Sequence, residues 1–373
     1  LGIAYLAASA RASGFPDVSV WNQDIYHYPD ETITEYIENG QFDIVGFGVC
    51  GYQQYRKGLS LATHIKRAKN KPLFVLGAHG PSAAPEFFLE KYQADIVLRG
   101  EGELIFTNLL KALHSKSDFR KINGITWREE EHFFSNPDEK LIEKLDELPL
   151  PAWDLFPMEH YVLDKVNAAK HTDRCFPILA SRGCPQRCNF CYRMYEGYRL
   201  RSIPNVLNEI RELKTRYGIT YITFVDENLM SSRNRALSFC EGIKNSQLNI
   251  SWDCMGRLNV AQKDVLKAMK EAGCAYINYG IESVDQMSLN LMQKDLKVEE
   301  IYDGIDNTVE AGIFPGLNVI WGNIGDNEET LIKGRDFLIK YNTPLQIRTI
   351  NPVTPYPGTT LFDTPKERGL LKD

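Results

Sequence analysis

Ser181-Arg-Gly-Cys-Pro-Gln-Arg-Cys-Asn-Phe-Cys191 places Cys184, Cys188 and Cys191 at C-x3-C-x2-C spacing directly after the apolar run Pro177-Ile-Leu-Ala180. Polar gaps of three and two residues let one loop wrap a metal cluster, and Gly183 supplies the turn off the strand. Cys175 and Cys240 lie outside this loop. Three local thiolates therefore hold an iron–sulfur cubane by three corners and leave one iron free to bind something else. A structural zinc site would need a second cysteine or histidine cluster to complete a tetrahedron, and the chain has none.

From about Cys175 onward, β-branched and aromatic runs recur with helical patterns between them, which is the signature of βα units around a parallel sheet. Six strands are expected, beginning near Pro177, Tyr221, Ile250, Ala275, Gly316 and Leu345. Gly218, Gly273 and Gly312 each follow an amphipathic stretch and precede a strand, the place of a left-handed helix cap. Val206, Leu207, Ile210 and Leu213 share one helix face, which leaves Arg211, Lys214 and Arg216 in water. Chemistry in β/α barrels sits at the carboxyl ends of the strands. The polar groups expected there are Asp226-Glu227-Asn228, Asp253 with Arg257, Glu282-Ser283, Gly322-Asn323 and the run Thr354 to Thr359.

Residues 1 to about 115 alternate in the same α/β manner. Glycines end three of the expected strands, at Gly46, Gly48 and Gly51, at Gly77-Ala78-His79-Gly80, and at Gly100-Glu101-Gly102. Glycine at a strand end lets a large ligand approach the backbone. The stretches around Leu59, Ala62 and Ile65, and Leu104, Leu109 and Leu113, are expected to cover the sheet faces. Between the halves, Gly124-Ile-Thr-Trp-Arg128 alternates like a strand and residues 129–136 read as a turn. Leu148-Pro-Leu-Pro-Ala-Trp153 is too rich in proline for a helix, so this region reads as a linker with a small hairpin anchored by Trp153 and Phe156.

Composition bounds the function. The 373 residues suffice for two domains, and 43% hydrophobic content is that of a globular chain. A net charge of −6 without a dense basic run speaks against nucleic acid. No apolar stretch approaches the roughly 18 to 20 residues that cross a bilayer. Eight cysteines, three of them committed to a cluster, fit the reducing cytoplasm. Cys50, Cys240, Cys254 and Cys274 read as small core residues. The chain opens at Leu1 without Met and stops at Asp373, and both ends are expected to be trimmed.

The cysteine loop, with Phe190 before its third cysteine, resembles the radical S-adenosylmethionine (SAM) superfamily. The resemblance implies that the open iron chelates the amino and carboxylate groups of SAM and that cluster reduction cleaves SAM to a 5′-deoxyadenosyl radical. It also implies that Asp226 and Glu227 bind the SAM ammonium, that Arg257 neutralises its carboxylate, that Glu282 holds the ribose hydroxyls, and that Ser283 beside it belongs to the cofactor-binding set. The glycine-terminated strands upstream resemble the cobalamin-binding domain of the cobalamin-dependent radical SAM enzymes, of the class B methyltransferase type. By that likeness Gly46, Gly48, Gly51, Gly77, Ala78, His79, Gly80, Gly100, Glu101 and Gly102 cradle the corrin. The run Asp24-Ile-Tyr-His27 has the wrong spacing for the cobalt-ligating Asp-x-His-x-x-Gly, so cobalamin is expected without a histidine ligand, and His79 is expected to touch its nucleotide tail.

The expected architecture is thus α/β: a doubly wound Rossmann-like cobalamin domain over residues 1–120, a linker over 121–170, and a partial (β/α)6 radical SAM barrel over 171–373. The resemblance implies a [4Fe–4S] cluster, SAM and cobalamin as cofactors and an electron donor such as flavodoxin or ferredoxin. It further implies methyl transfer from methylcobalamin to an unactivated carbon of a small molecule or peptide. Cobalamin-dependent cyclisation or rearrangement without methyl transfer is the alternative. A methylthiotransferase would need a second cysteine trio upstream, where only Cys50 stands. A metal-stabilised binding module would hold zinc and leave SAM intact.

Overall fold

The computed structural model describes residues 1–51, 54–194, 197–342 and 347–367, and their side chains except at 347 and 364–367. The chain divides into two compact units, Leu1–Glu143 with Glu147–Pro157, and Lys144–Asp146 with Met158–Asp373. No helix among the described residues is long and apolar enough to cross a membrane.

In the first unit, β1 (Ile44–Gly48), β2 (Leu73–Gly77) and β3 (Ile96–Leu98) pair in parallel, and β4 (Ile125–Glu129) and β5 (His132–Ser135) continue the sheet antiparallel. Phe74 and Leu76 enter one hydrophobic cluster with Ile33, Leu61 and Leu89, while Val75 between them enters another with Ile105, Leu109 and Trp127. Successive side chains of a strand point to opposite faces, so both faces are covered and the sheet is doubly wound. The helix Tyr55–Arg67 buries Leu61, Ala62 and Ile65 as its periodicity requires. In the helix Gly102–His114 the sheet is met by Ile105 and Leu109, whereas Leu104 is exposed. The reading of Leu104 as a covering residue was one position out.

The predicted hairpin forms but does not stand apart as a linker. Its first strand, β4, pairs with β3 through Ile96↔Trp127, so it extends the amino-terminal sheet. Trp153 is buried and meets Phe156 edge-on at 5.6 Å. Cys50 is exposed, which corrects its assignment to the core; Cys240, Cys254 and Cys274 are buried as expected.

In the second unit, β6 (Cys175–Ile178) runs into the short strand β7 (Ser181–Gly183), which pairs antiparallel with β8 (Tyr198–Leu200). The main sheet is completed by β9 (Tyr221–Phe224), β10 (Ser251–Gly256), β11 (Cys274–Glu282), β12 (Phe314–Trp321) and β13 (Ile347–Pro352). Its order is β13-β12-β11-β10-β9-β6, with every pair parallel. All six predicted strands are present; Leu345 and Gln346 of the last lie outside the described residues. Gly218, Gly273 and Gly312 adopt φ of 67°, 94° and 72°, and Gly218 N–H closes the helix Ile203–Tyr217 on Lys214 O at 3.0 Å.

Helices cover the outer face of this sheet. Phe224, Phe239 and Trp252, each at most 1% exposed, meet edge-on with centroids 5.1 to 6.0 Å apart. Burying each is worth about 1.5–3 kcal/mol. Arg201 and Glu209 form a buried ion pair, and the same guanidinium also donates to Leu179 O at 2.6 Å and Asn205 Oδ1 at 2.7 Å. This network ties the exit of β6 to the helix after β8.

Opposite Trp252, the inner face carries polar side chains. Thr223 donates to Asp253 Oδ2 at 3.1 Å. Tyr276 and Asn318 both donate to Asn278 Oδ1, at 3.2 and 2.6 Å, and Thr349 donates to Asn318 Oδ1. A Cβ on Gly316 would run into Tyr276 OH and Asn278 Oδ1, so glycine there makes room for the network. Burial pushes the Asp253 carboxyl up to about 6, against the hydrogen bonds from Thr223 and Tyr221 that lower it.

Two outcomes follow from these buried groups. Glu209→Ala leaves Arg201 buried without its counter-charge, and denaturant unfolding will show a loss of about 3–5 kcal/mol. Asp253 holds its proton more tightly folded than unfolded, at about 6 against 3.8. The stability this contributes is complete below the unfolded value and is lost as pH rises through about 6. Between about pH 3 and about pH 7 the wild type will therefore lose about 3 kcal/mol more than Asp253→Asn; equal pH profiles would contradict the assignment.

Candidate cofactor sites

The cysteine loop closes the β7–β8 hairpin, which the sequence reading missed because each strand is only three residues long. Gly183 turns the chain with φ 87°, and Cys191 N–H donates to Cys188 O at 3.2 Å. Two fixtures hold the loop. Asp226, with no solvent exposure, accepts from Ala180 N–H at 3.0 Å and from the Ser181 hydroxyl, and so aims β7 off the end of β6. Asn189 donates from its backbone to Met292 O and from Nδ2 to Leu291 O, both at 3.0 Å.

Burial pushes the Cys184 thiol up and the Cys191 thiol up to about 11; for Cys191 the neighbouring Cys188 and Glu227 add to the rise. Loading iron on these thiols therefore displaces protons. Among the described residues no three His, Cys, Asp or Glu side chains converge on a single metal ion. A cluster instead takes each thiolate on a different iron, which suits a loop of this spacing.

The carboxyl ends of the strands bring several expected residues to this loop. Arg257 follows β10, and its guanidinium donates to Lys294 O and, at 2.7 Å, to Asp295 O, while its buried Nε has no partner. Glu282 ends β11 and pairs with Lys294 Nζ at 2.9 Å. Ser283 Oγ accepts from Asp285 N–H at 3.1 Å. Glu227 is exposed beside the loop, with its carboxyl pushed up by partial desolvation and by Asp226.

Asp226 differs from expectation. Burial raises its carboxyl to about 6, and its oxygens are committed to Ala180 and Ser181. It positions the loop, and of the two adjacent carboxylates Glu227 is the one exposed to solvent. Sequence reading also gave no role to Asn189 and Lys294 and none of its own to Asn228 or Asn323. Asn228 is 2% exposed with both amide atoms unpartnered, and buried Asn323 Nδ2 and Asn189 Oδ1 are unpartnered too. Buried polar atoms are almost always satisfied in native proteins, so such a group beside one loop and strand rim fits a polar ligand.

In the first unit the three strand-end loops are hydrogen-bonded to one another. Val49 N–H donates to Gly77 O, Gly80 N–H to Val49 O, and Gly100 N–H to Ser82 Oγ, at 3.0 to 3.1 Å. A Cβ on Gly46, Gly51 or Gly100 would meet nothing within 4 Å, and on Gly48 only Ala78 Cβ at 4.0 Å. Internal packing therefore does not require glycine at these positions, though the φ of 82° at Gly100 does call for it, and the open space fits a large ligand laid on the backbone. Gly80 and Gly102 are different: their Cβ atoms would press on Phe88 and on Leu6. Glu101 is likewise structural, since its Oε2 accepts from Ile142 N–H at 2.9 Å. Ala78 holds φ 77°, a strained state for a residue with a Cβ. His79 keeps solvent access, and desolvation holds its imidazole below the ordinary value.

Residues 178–338 match the radical SAM superfamily and residues 1–110 the B12 binding domain. An uncharacterized methyltransferase of Pyrococcus horikoshii is 30% identical over 375 residues, covering 100% of this chain and 79% of that protein. The anaerobic magnesium-protoporphyrin IX monomethyl ester cyclase of Rubrivivax gelatinosus is 26% identical over 370 residues, covering 96% of this chain and 65% of that one. The radical SAM methyltransferase TsrM of Kitasatospora setae, solved with cobalamin and a [4Fe-4S] cluster, superposes with a TM-score of 0.81 over 98% of this chain and 72% of its own, at 18% identity. With the cysteine loop, the parallel six-stranded sheet and the preceding doubly wound unit, these matches make the chain a member of the cobalamin-dependent radical SAM enzymes.

Proposed function

We propose that this enzyme methylates an unactivated carbon of its substrate, with SAM serving both as methyl source and as radical precursor. One observation carries the reading: a single chain joins a cysteine loop beside unpartnered buried polar atoms to a sheet whose end glycines leave space for a large ligand. The Pyrococcus protein, named a methyltransferase, supports it along the whole chain.

When bound, the cluster supplies the electron that cleaves SAM, and the corrin carries the methyl group. The chain's own residues bind and orient. Cys184, Cys188 and Cys191 provide the thiolates. Glu227 accepts from the SAM ammonium, Arg257 donates to its carboxylate, and Glu282 with Ser283 engages the ribose hydroxyls. Gly46, Gly48, Gly51 and Gly100 let the corrin approach the backbone, and Gly77 to Gly80 form the middle of the same cradle. His79, exposed at the start of the middle loop, would contact the nucleotide tail. Eight free cysteines suit a reducing cytoplasm and a donor such as flavodoxin or ferredoxin.

The second reading is cobalamin-dependent cyclisation, favoured by the named activity of the Rubrivivax relative. The two differ in what becomes of SAM. Methyl transfer leaves S-adenosylhomocysteine, whereas radical cleavage leaves 5′-deoxyadenosine and methionine. Anaerobically reconstituted enzyme turning over with cobalamin and a strong reductant will release both nucleosides and place a deuterated SAM methyl in the product. Release of 5′-deoxyadenosine alone would favour cyclisation, and intact SAM would overturn both readings. Cys188→Ala will lower bound iron and abolish 5′-deoxyadenosine release; undiminished iron in that variant would remove the loop from the site.

A further inference from the structure

Lys294 lies 7% exposed, and its surroundings hold it from three directions. Its Nζ donates to Glu282 Oε1 at 2.9 Å and stands 5.9 Å from the centroid of the Phe190 ring, inside the cysteine loop. Its carbonyl accepts from Arg257, which follows β10. The turn just before it, Leu291 and Met292, is held by Asn189 of the same loop.

The backbone of β11 is deformed to make this pair. The register with β12 shifts between Gly280 and Glu282, so Ile281 is an extra residue, and Glu282 adopts φ 67°. A bulge and a left-handed non-glycine residue both cost energy and persist where the surroundings impose them. A Cβ on Gly280 would run into Glu282 Oε1 and lie 3.0 Å from Lys294 Nζ. The bulge, the left-handed turn and the glycine therefore share one result: the Glu282 carboxylate folds back along its strand to meet the ammonium. The ammonium reaches the loop directly as well, because the Phe190 ring over which it stands is next in the chain to Cys191.

We infer that Lys294 is a positioning residue for the cluster: paired to Glu282, it steadies Phe190 and keeps a positive charge beside the thiolates of Cys184, Cys188 and Cys191. The inference rests on the cluster reading above. A fixed positive charge next to a cluster favours the reduced, more negative state and so raises its midpoint potential. Removing the carboxylate while keeping the ammonium raises it further; removing the ammonium exposes the cluster to an uncompensated carboxylate and lowers it.

The test is a redox titration of the reconstituted full chain without SAM, followed by electron paramagnetic resonance with iron measured in each sample. Lys294→Met will shift the midpoint to more negative values, Lys294→Arg will restore it, and Glu282→Gln will shift it to more positive values. A role in packing alone moves the two disrupting variants in the same direction, or moves neither, and either result would overturn the inference. Should Lys294→Met fail to keep iron, Glu282→Gln decides: an unchanged or more negative midpoint refutes the proposal. A wild-type chain that takes up no iron removes the cluster reading itself, a result distinct from a loaded cluster whose potential ignores Lys294.

Discussion

A carboxylate sealed from solvent sets the geometry of the radical site. Asp226 gives up hydration to accept from Ala180, in the link after β6, and from Ser181, the first residue of the cysteine hairpin. Its desolvation raises its carboxyl, and the hydrogen bonds work against that rise. The direction in which the loop leaves the sheet thus depends on a charge buried at a cost. Asn189, Arg257 and Lys294 then fasten the loop to β10 and β11, so the thiolates are carried by the sheet instead of by a free turn.

The architecture was legible because it is written in periodic signals. Six β-branched runs, glycine caps at 218, 273 and 312, and alternating burial along β2 all follow from local backbone preference and from which side chains must leave water. The expectations that needed correction involve long-range pairing. The hairpin at β4 and β5 looked like a linker because its partner, β3, lies more than twenty residues away. Cys50 reads as a small apolar residue, yet it sits exposed on a loop. Leu104 and Ile105 are equally apolar, and only the helix phase decides which is buried.

At the sites, residue type identified chemistry but not division of labour. Adjacent Asp226 and Glu227 look interchangeable in sequence, and burial separates them into a scaffold residue and an open one. The strand-end glycines divide in the same way. Gly46, Gly48, Gly51 and Gly100 face open space, while Gly80 and Gly102 admit Phe88 and Leu6. Lys294 follows a short helix with no motif around it, and its importance emerges only when a bulge in β11 brings Glu282 back to it.

Among the described residues the barrel sheet begins at β13 and ends at β6 without the two pairing. A closed ring of strands would admit only what can be threaded through its mouth. A sheet whose end strands stay apart carries no such limit from its own hydrogen bonding, and its curvature is left to the helices packed on its outer face.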